Sequence, residues 1–121
     1  MGSFNSFMKD NPMRIIYTRH FPPGDFHGIN IMGTVFVQRR WGEFLPHEVN
    51  HEMIHTYQQW ELTYPVFYTL YVLEYLVRLV QCRWNAERAY RSISFEREAF
   101  AYERDFQYLR HRHPFAWVKY L

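Results

Sequence analysis

The sequence has little that would hold it together covalently or direct it across a membrane. Its one cysteine, Cys82, has no partner for an internal disulfide, which fits a reducing, cytoplasmic setting. The amino terminus, MGSFNSFMKDNP, lacks the charged start and apolar stretch of a secretory leader. Gly2 and Ser6 match the loose myristoylation pattern, which small residues near a chain start also satisfy. Charge of one sign is scarce as well: 14 Lys and Arg against 12 Asp and Glu leave a net +2, too little to call for a polyanionic partner. Long apolar runs free of charge are also missing. Tyr64 to Cys82 comes nearest to a membrane span but contains Pro65, Glu74 and Arg78. Glu74 and Arg78, four residues apart, are expected to pair on one face of a helix buried on most sides, with Leu70, Leu73, Val77 and Val80 packed elsewhere. Peripheral docking of this 64–82 helix on a membrane or a protein is the other use of such a segment.

What is present is a chain of 121 residues with 48% hydrophobic and 21% aromatic residues, enough to build the core of one domain without disulfides. The pattern predicts an α+β domain: residues 1–13 irregular, 14–45 a small sheet and 46–121 helical. Arg14 to Thr18 (RIIYT) and Ile29 to Gln38 (INIMGTVFVQ) read as strand material, with Gly33 as a bulge or turn. Pro46 suits the first turn of a helix running to about Leu62. A second helix is predicted from Pro65 to about Trp84. A third, capped by Ser92 or Ser94, should continue through FEREAFAYERDFQYLRH and end at Pro114.

The first helix carries HEMIH: His51, Glu52 and His55. Residues four apart share a helical face, so both imidazoles can reach one metal ion, with Glu52 beside them to hold a water. Zinc suits such a site, because it takes three protein ligands and a water whose pKa it lowers towards neutrality. An overlapping copy, HEVNH, uses His47, Glu48 and His51. The HEMIH register is favoured because Met53 and Ile54 can anchor its helix in the core. His47 is then an outer-shell group or an exposed helix-start residue. A third ligand is required, and Glu96 and Glu98 in FEREAFAY are the candidates; two apart, they occupy different stripes, each accompanied by a small alanine. Geometry leaves both open.

HEMIH followed by a glutamate on a later helix resembles the gluzincin type of zincin metallopeptidase. FEREAFA resembles the E-x-x-A-[DS] element of integral-membrane prenyl-protein peptidases and their bacterial relatives, with Glu96 and Ala99 at the matching positions. That resemblance implies a minimal zincin-like domain and Glu96 as third ligand. The chain departs at Phe100, where the family often has an aspartate supporting a ligand histidine; Glu103, Asp105 or Gln58 could take that role. From about Ile29 to Leu121 the sequence is similar to a set of short, largely uncharacterised bacterial proteins regarded as metallopeptidases.

The implied function is zinc-dependent hydrolysis of a peptide or protein substrate, with Glu52 as base. By analogy with zincins, the strand around Gly33 to Gln38 would align the substrate. Tyr57, Tyr102, His111 and His113 are candidate donors to the developing oxyanion. A competing expectation is an inactive zinc-binding module that docks a protein or membrane surface. Nucleic-acid binding through ERDFQYLRHRHPFAWVKYL is disfavoured by the acidic residues nearby. The oligomeric state does not follow from the sequence.

Overall fold

In the pair of strands around Met32-Gly33 the backbone turns with φ of 51° and 87°, both positive, as a two-residue type I′ hairpin requires. Gly33 takes the second position without steric cost. This computed structural model describes residues 13–24 and 26–121; Gly2, Ser6 and most of the expected irregular segment lie outside them. The strands are β1 (Arg14–Thr18), β2 (Gly28–Ile31) and β3 (Thr34–Gln38). Their order is β1-β3-β2, with β1 parallel and β2 antiparallel to β3. Alternation along β3 sends Val35 and Val37, both fully buried, towards Val49 and Met53 of the first helix.

The helices are α1 (Pro46–Leu62), α2 (Tyr64–Gln81), α3 (Ala86–Ser92), α4 (Ser94–Tyr102) and α5 (Tyr108–His111), with 3-10 turns at Arg39–Trp41 and Ala116–Tyr120. The chain is thus α+β, a small three-stranded sheet followed by helices. Leu45 N–H donates to the Glu48 carboxylate at 2.9 Å, closing the start of α1 beside Pro46. The helical half is more broken than its sequence suggests. α2 stops at Gln81 instead of near Trp84, where Arg83 and Trp84 take left-handed φ of 53° and 66°. Asn85 then caps the short α3 by accepting from Arg88 N–H at 3.1 Å. Ser94 does not cap by accepting; its N–H and hydroxyl both donate to Glu74, at 2.7 and 2.6 Å, so a carboxylate from α2 terminates α4. The expected continuous third helix breaks after Tyr102. There the buried Asn50 amide approaches the carbonyls of Tyr102, Glu103 and Asp105 at 3.2, 2.8 and 3.1 Å, satisfying groups that a continuing helix would have paired internally.

The core has three parts. Met13, Val35, Val37, Val49 and Met53 join sheet to α1. Ile54, Ala99 and Tyr108 join α1 to α4 and α5, the small Ala99 allowing close approach. Phe67, Ile93, Phe95 and Trp117 join α2, α4 and the carboxy-terminal turn. α2 itself overturns an expectation. Glu74 and Arg78 do pair, at 3.3 Å, and Glu74 faces α4, while Leu70, Leu73, Val77 and Val80 are exposed; Phe67 is the buried residue of this helix. No helix among the described residues is long and apolar enough to cross a membrane.

Asn50→Ala should lower stability by about 1–3 kcal/mol, since it removes the buried amide that donates at the helix break and leaves the Glu103 carbonyl without that donor. Urea unfolding followed by circular dichroism checks this; a change under 0.5 kcal/mol would show that the break is held by other contacts.

Candidate metal centre

Helix α1 is unusual in burying more polar than apolar side chains. His51, His55, Asn50, Thr56, Gln58 and Gln59 are all turned inward with Val49, Met53 and Ile54. One helical turn separates His51 from His55, and their rings meet edge to face with centroids 4.8 Å apart. The first turn of α4 delivers Glu96 against them. His51 Nε2 and His55 Nε2 each lie 3.0 Å from Glu96 Oε1 and 3.2 Å from each other, forming a closed triangle of two nitrogens and one oxygen. The three residues are 6, 5 and 3% exposed, so little water competes for these atoms. Glu52 adds a second carboxylate, with ligand atoms of His51, Glu52 and His55 all within 4.8 Å of one another, a grouping that could hold a metal ion. Of the two carboxylates, Glu96 is the nearer to both imidazoles.

Each member of the triangle is held from behind. His51 Nδ1–H donates to Glu103 Oε1 at 2.9 Å. His55 Nδ1–H donates to Gln58 Oε1 at 2.8 Å, because the Gln58 amide nitrogen is committed to Phe95 O and Glu98 Oε1, both at 3.0 Å. Both rings therefore present Nε2 to the triangle. Tyr71 of α2 donates to the other oxygen of Glu96 at 2.6 Å. Phe100, at the position where the resembled family often has aspartate, lays its ring edge-on to His51 at 4.6 Å; the carboxylate comes from Glu103 instead.

The electrostatics follow from burial opposed by neighbours. Burial lowers His51, but hydrogen bonds to Glu103 and Glu96 and the charges of Glu52 and Glu96 outweigh it and raise the imidazole to about 10. His55 is raised as well, since Glu96 outweighs its burial. Burial would raise Glu96, yet His55 and His51 hold it well below the usual carboxylate range. Glu52 is raised, because its burial outweighs the attraction of the same two imidazoles. Tyr90 faces Glu96 too; burial first, then the charges of Glu96 and Glu52, keep its phenol protonated far above the ordinary range.

Of the residues named from sequence, His51, Glu52, His55 and Glu96 come together, and Glu103 and Gln58 support the two histidines. Glu98 does not join the triangle. It is fully buried, accepts from Tyr108 at 2.6 Å and from Arg112, and reaches the centre only through Gln58. Arg112 also grips Glu61 at 2.9 and 3.1 Å, so a string Glu61–Arg112–Glu98–Gln58–His55 runs from α1 through α4 and back. That arginine belongs to the basic end considered for nucleic acid and is committed to these carboxylates.

The HEVNH register is not assembled: Glu48 binds His27 at 2.6 Å, and His47 lies near Glu103. The Asp105 carboxylate accepts from Gln107 N–H. Tyr57 packs against Trp60 and the sheet-side core. Tyr102 stacks on Tyr108 at 3.9 Å, His111 lies edge-on to Tyr108, and His113 is exposed. None of these four candidates for the oxyanion is placed beside Glu96 by those contacts. Tyr71 and Tyr90 occupy that place, and sequence reasoning missed them. The available signal was the stripe Phe67, Tyr71, Glu74, Arg78, whose two charges mark the inward face of α2.

The strand expected to align substrate, β3, is also corrected. It is central, paired on both sides, and the edge nearest α1 is β2, where Asn30 donates to Glu52 O and Thr56 Oγ1, each at 2.9 Å. Two polar groups on that edge, Asn30 O and Met32 N–H, already meet the Tyr68 hydroxyl at 3.4 and 3.0 Å.

Arg112→Met leaves Glu98 buried without its cation, and a loss of roughly 3–5 kcal/mol at neutral pH is expected. Arg112, Tyr108 and Gln58 outweigh the burial of Glu98 and hold its carboxyl below the ordinary 4.5. Its stabilisation is therefore present above that value and lost as pH falls through the lower folded one. The deficit of the variant should accordingly be largest near pH 7 and shrink on acidification, as urea titrations from pH 7 to pH 2.5 would read; a pH-independent deficit would show a loss of packing alone. No protein-family model, curated protein or solved structure matches the chain, so its chemistry is read from these side chains.

Proposed function

We propose that the protein is a zinc-dependent metallopeptidase of minimal zincin type acting in the cytoplasm, with His51, His55 and Glu96 as metal ligands and Glu52 as general base. The observation that carries this is the triangle of His51 Nε2, His55 Nε2 and Glu96 Oε1 with sides of 3.0, 3.0 and 3.2 Å. Zinc bonds of about 2.0–2.2 Å in a tetrahedral shell separate neighbouring ligand atoms by roughly 3.3–3.6 Å, so the triangle is a few tenths of an ångström smaller than one face of that shell. Two imidazoles and one carboxylate are a donor set that zinc accepts in catalytic sites, where a fourth position stays open.

When bound, zinc supplies Lewis acidity and lowers the pKa of a coordinated water towards neutrality. The Glu52 carboxylate, next to His51 in sequence, removes a proton from the attacking water and delivers it to the leaving amine nitrogen. Burial raises its pKa, which moves this base towards the range in which it can both take and return a proton. Glu103 and Gln58 fix the imidazole tautomers, and Tyr71 holds Glu96. Tyr90, whose phenol faces Glu96 at the edge of the triangle, is the donor proposed for the developing oxyanion. A substrate backbone would approach along β2, beside the Glu52 carbonyl that Asn30 holds, and would displace the Tyr68 hydroxyl from the edge.

The near-complete burial of the three ligands favours one competing reading, a zinc ion that only ties α1 to α4. Elemental analysis on protein purified without a metal-affinity tag should find one zinc per chain in the wild type and in Glu52→Gln, and none in His55→Ala or Glu96→Ala. With an internally quenched peptide mixture, Glu52→Gln should lose roughly 10²–10⁴-fold of the hydrolysis. Zinc without hydrolysis in the wild type would leave the structural tie, and a wild type that takes up no zinc would overturn both readings.

A further inference from the structure

The outward face of α2 has no role in the metal centre, yet it exposes a run of aliphatic side chains. Val66, Leu70, Leu73, Val77 and Val80 follow one another at intervals of four, three, four and three residues. That alternation averages 3.5 residues, the spacing of a seam between two packed helices. All five are 38–63% exposed, and Val72 and Leu76, equally exposed, widen the stripe. The charged residues of the helix are turned the other way. Glu74 is bound to Ser94, and Arg78 to Glu74 and Gln81, so the stripe carries no charge. At its amino-terminal end Pro65, Val66, Thr69 and Leu70 line a shallow apolar depression.

We infer that this face is the contact between two copies of the chain, α2 packing against α2 of a second copy across a two-fold axis at Leu73. Two identical faces without charge meet with no repulsion, and a two-fold contact needs only one self-complementary patch. The stripe has the required symmetry: Val66 and Val80 lie seven residues to either side of Leu73, and Leu70 and Val77 three and four. Running antiparallel, the partner's Val80 enters the depression at Pro65–Leu70, whereas a parallel pair would set depression against depression. The seven side chains leave on the order of 600 Å² exposed per copy, at the top of the range for the largest apolar patch of a lone chain, so a pair covers at most about 1,200 Å², the lower bound for a stable protein contact. A lipid surface fits less well, because an interfacial helix sets free basic residues beside its apolar face, and the one arginine of α2 is already paired. This inference is independent of any metal chemistry.

Sedimentation equilibrium on the full chain between 1 and 100 μM should show a species of twice 15.0 kDa. Val77→Asp, at an exposed position, should keep the far-ultraviolet spectrum and weaken association at least 100-fold. In a Cys82→Ser background, mixing Val66→Cys with Val80→Cys protein should give the mixed disulfide faster than either homodimer, as the antiparallel pairing requires. A monomer throughout the concentration range, an unchanged dimer in Val77→Asp, or preferred homodimer cross-links would each overturn the arrangement. So would a monomer that binds vesicles of phosphatidylcholine and phosphatidylserine through Val77, which would assign the face to lipid.

Discussion

The contact on which the rest of this structure depends is the meeting of His51 and His55 with Glu96 between helices α1 and α4. Bringing ionisable groups out of water is costly unless each finds a partner, and the penalty falls on every polar atom left over. The structure answers it around the whole perimeter. Glu103 and Gln58 take the outer nitrogens of the imidazoles, Tyr71 takes the second oxygen of Glu96, and Arg112 neutralises the Glu98 that in turn holds Gln58. The residues supporting the centre come from α1, α2, α4 and the segments that follow α4. The fold's job, in this sense, is to deliver hydrogen-bond partners to one point.

That requirement explains features that would otherwise look like faults. The helix that should run on past Tyr102 stops, because Asn50 needs acceptors and the ends of a broken helix supply them; the break also frees Glu103 to turn back onto His51. Glu74 leaves the apolar α2 to terminate α4, which fixes the first turn where Glu96 sits. The same logic covers the departure at Phe100. A ring there packs against His51, and the supporting carboxylate comes from one turn further on.

Much of this was legible in the sequence, and the limits of that legibility have a physical pattern. Local signals succeeded: the turn at Gly33, the Pro46 start of α1, the helical spacing of His51 and His55, and Met53 and Ile54 as core anchors. The preference for Glu96 over Glu98 came from the resemblance alone, since both are buried glutamates two residues apart; the structure separates them by partner, imidazoles for one and Arg112 for the other. What sequence missed was non-local. Nothing near Asn50 signals that it ends a helix some fifty residues later, and Tyr90 is one tyrosine among ten until the fold sets it against Glu96. The orientation of α2 was missed for a subtler reason. Apolar residues are read as inward, which assumes that the interior they face is apolar.

Here it is only partly so, and the orientation of α2 follows. Its inner face meets the aromatic cluster of Phe95 and Trp117 with Phe67 and Tyr71, Tyr71 also holds Glu96, Glu74 holds the start of α4, and the aliphatic side is left to face outward. The domain thereby gives up part of the burial that usually stabilises a chain of this length, while retaining a buried group of imidazoles and carboxylates that could hold a metal ion. A native state so built gains stability from whatever binds it and not the unfolded chain, by an amount set by concentration and affinity. A metal at the triangle, as proposed, would touch the inner side of this helix through Tyr71, and a second copy of the chain would cover its outer side. Tyr71 and Glu74 join those faces mechanically, because any shift of α2 that improves packing on its outer side moves the groups holding Glu96 and the start of α4.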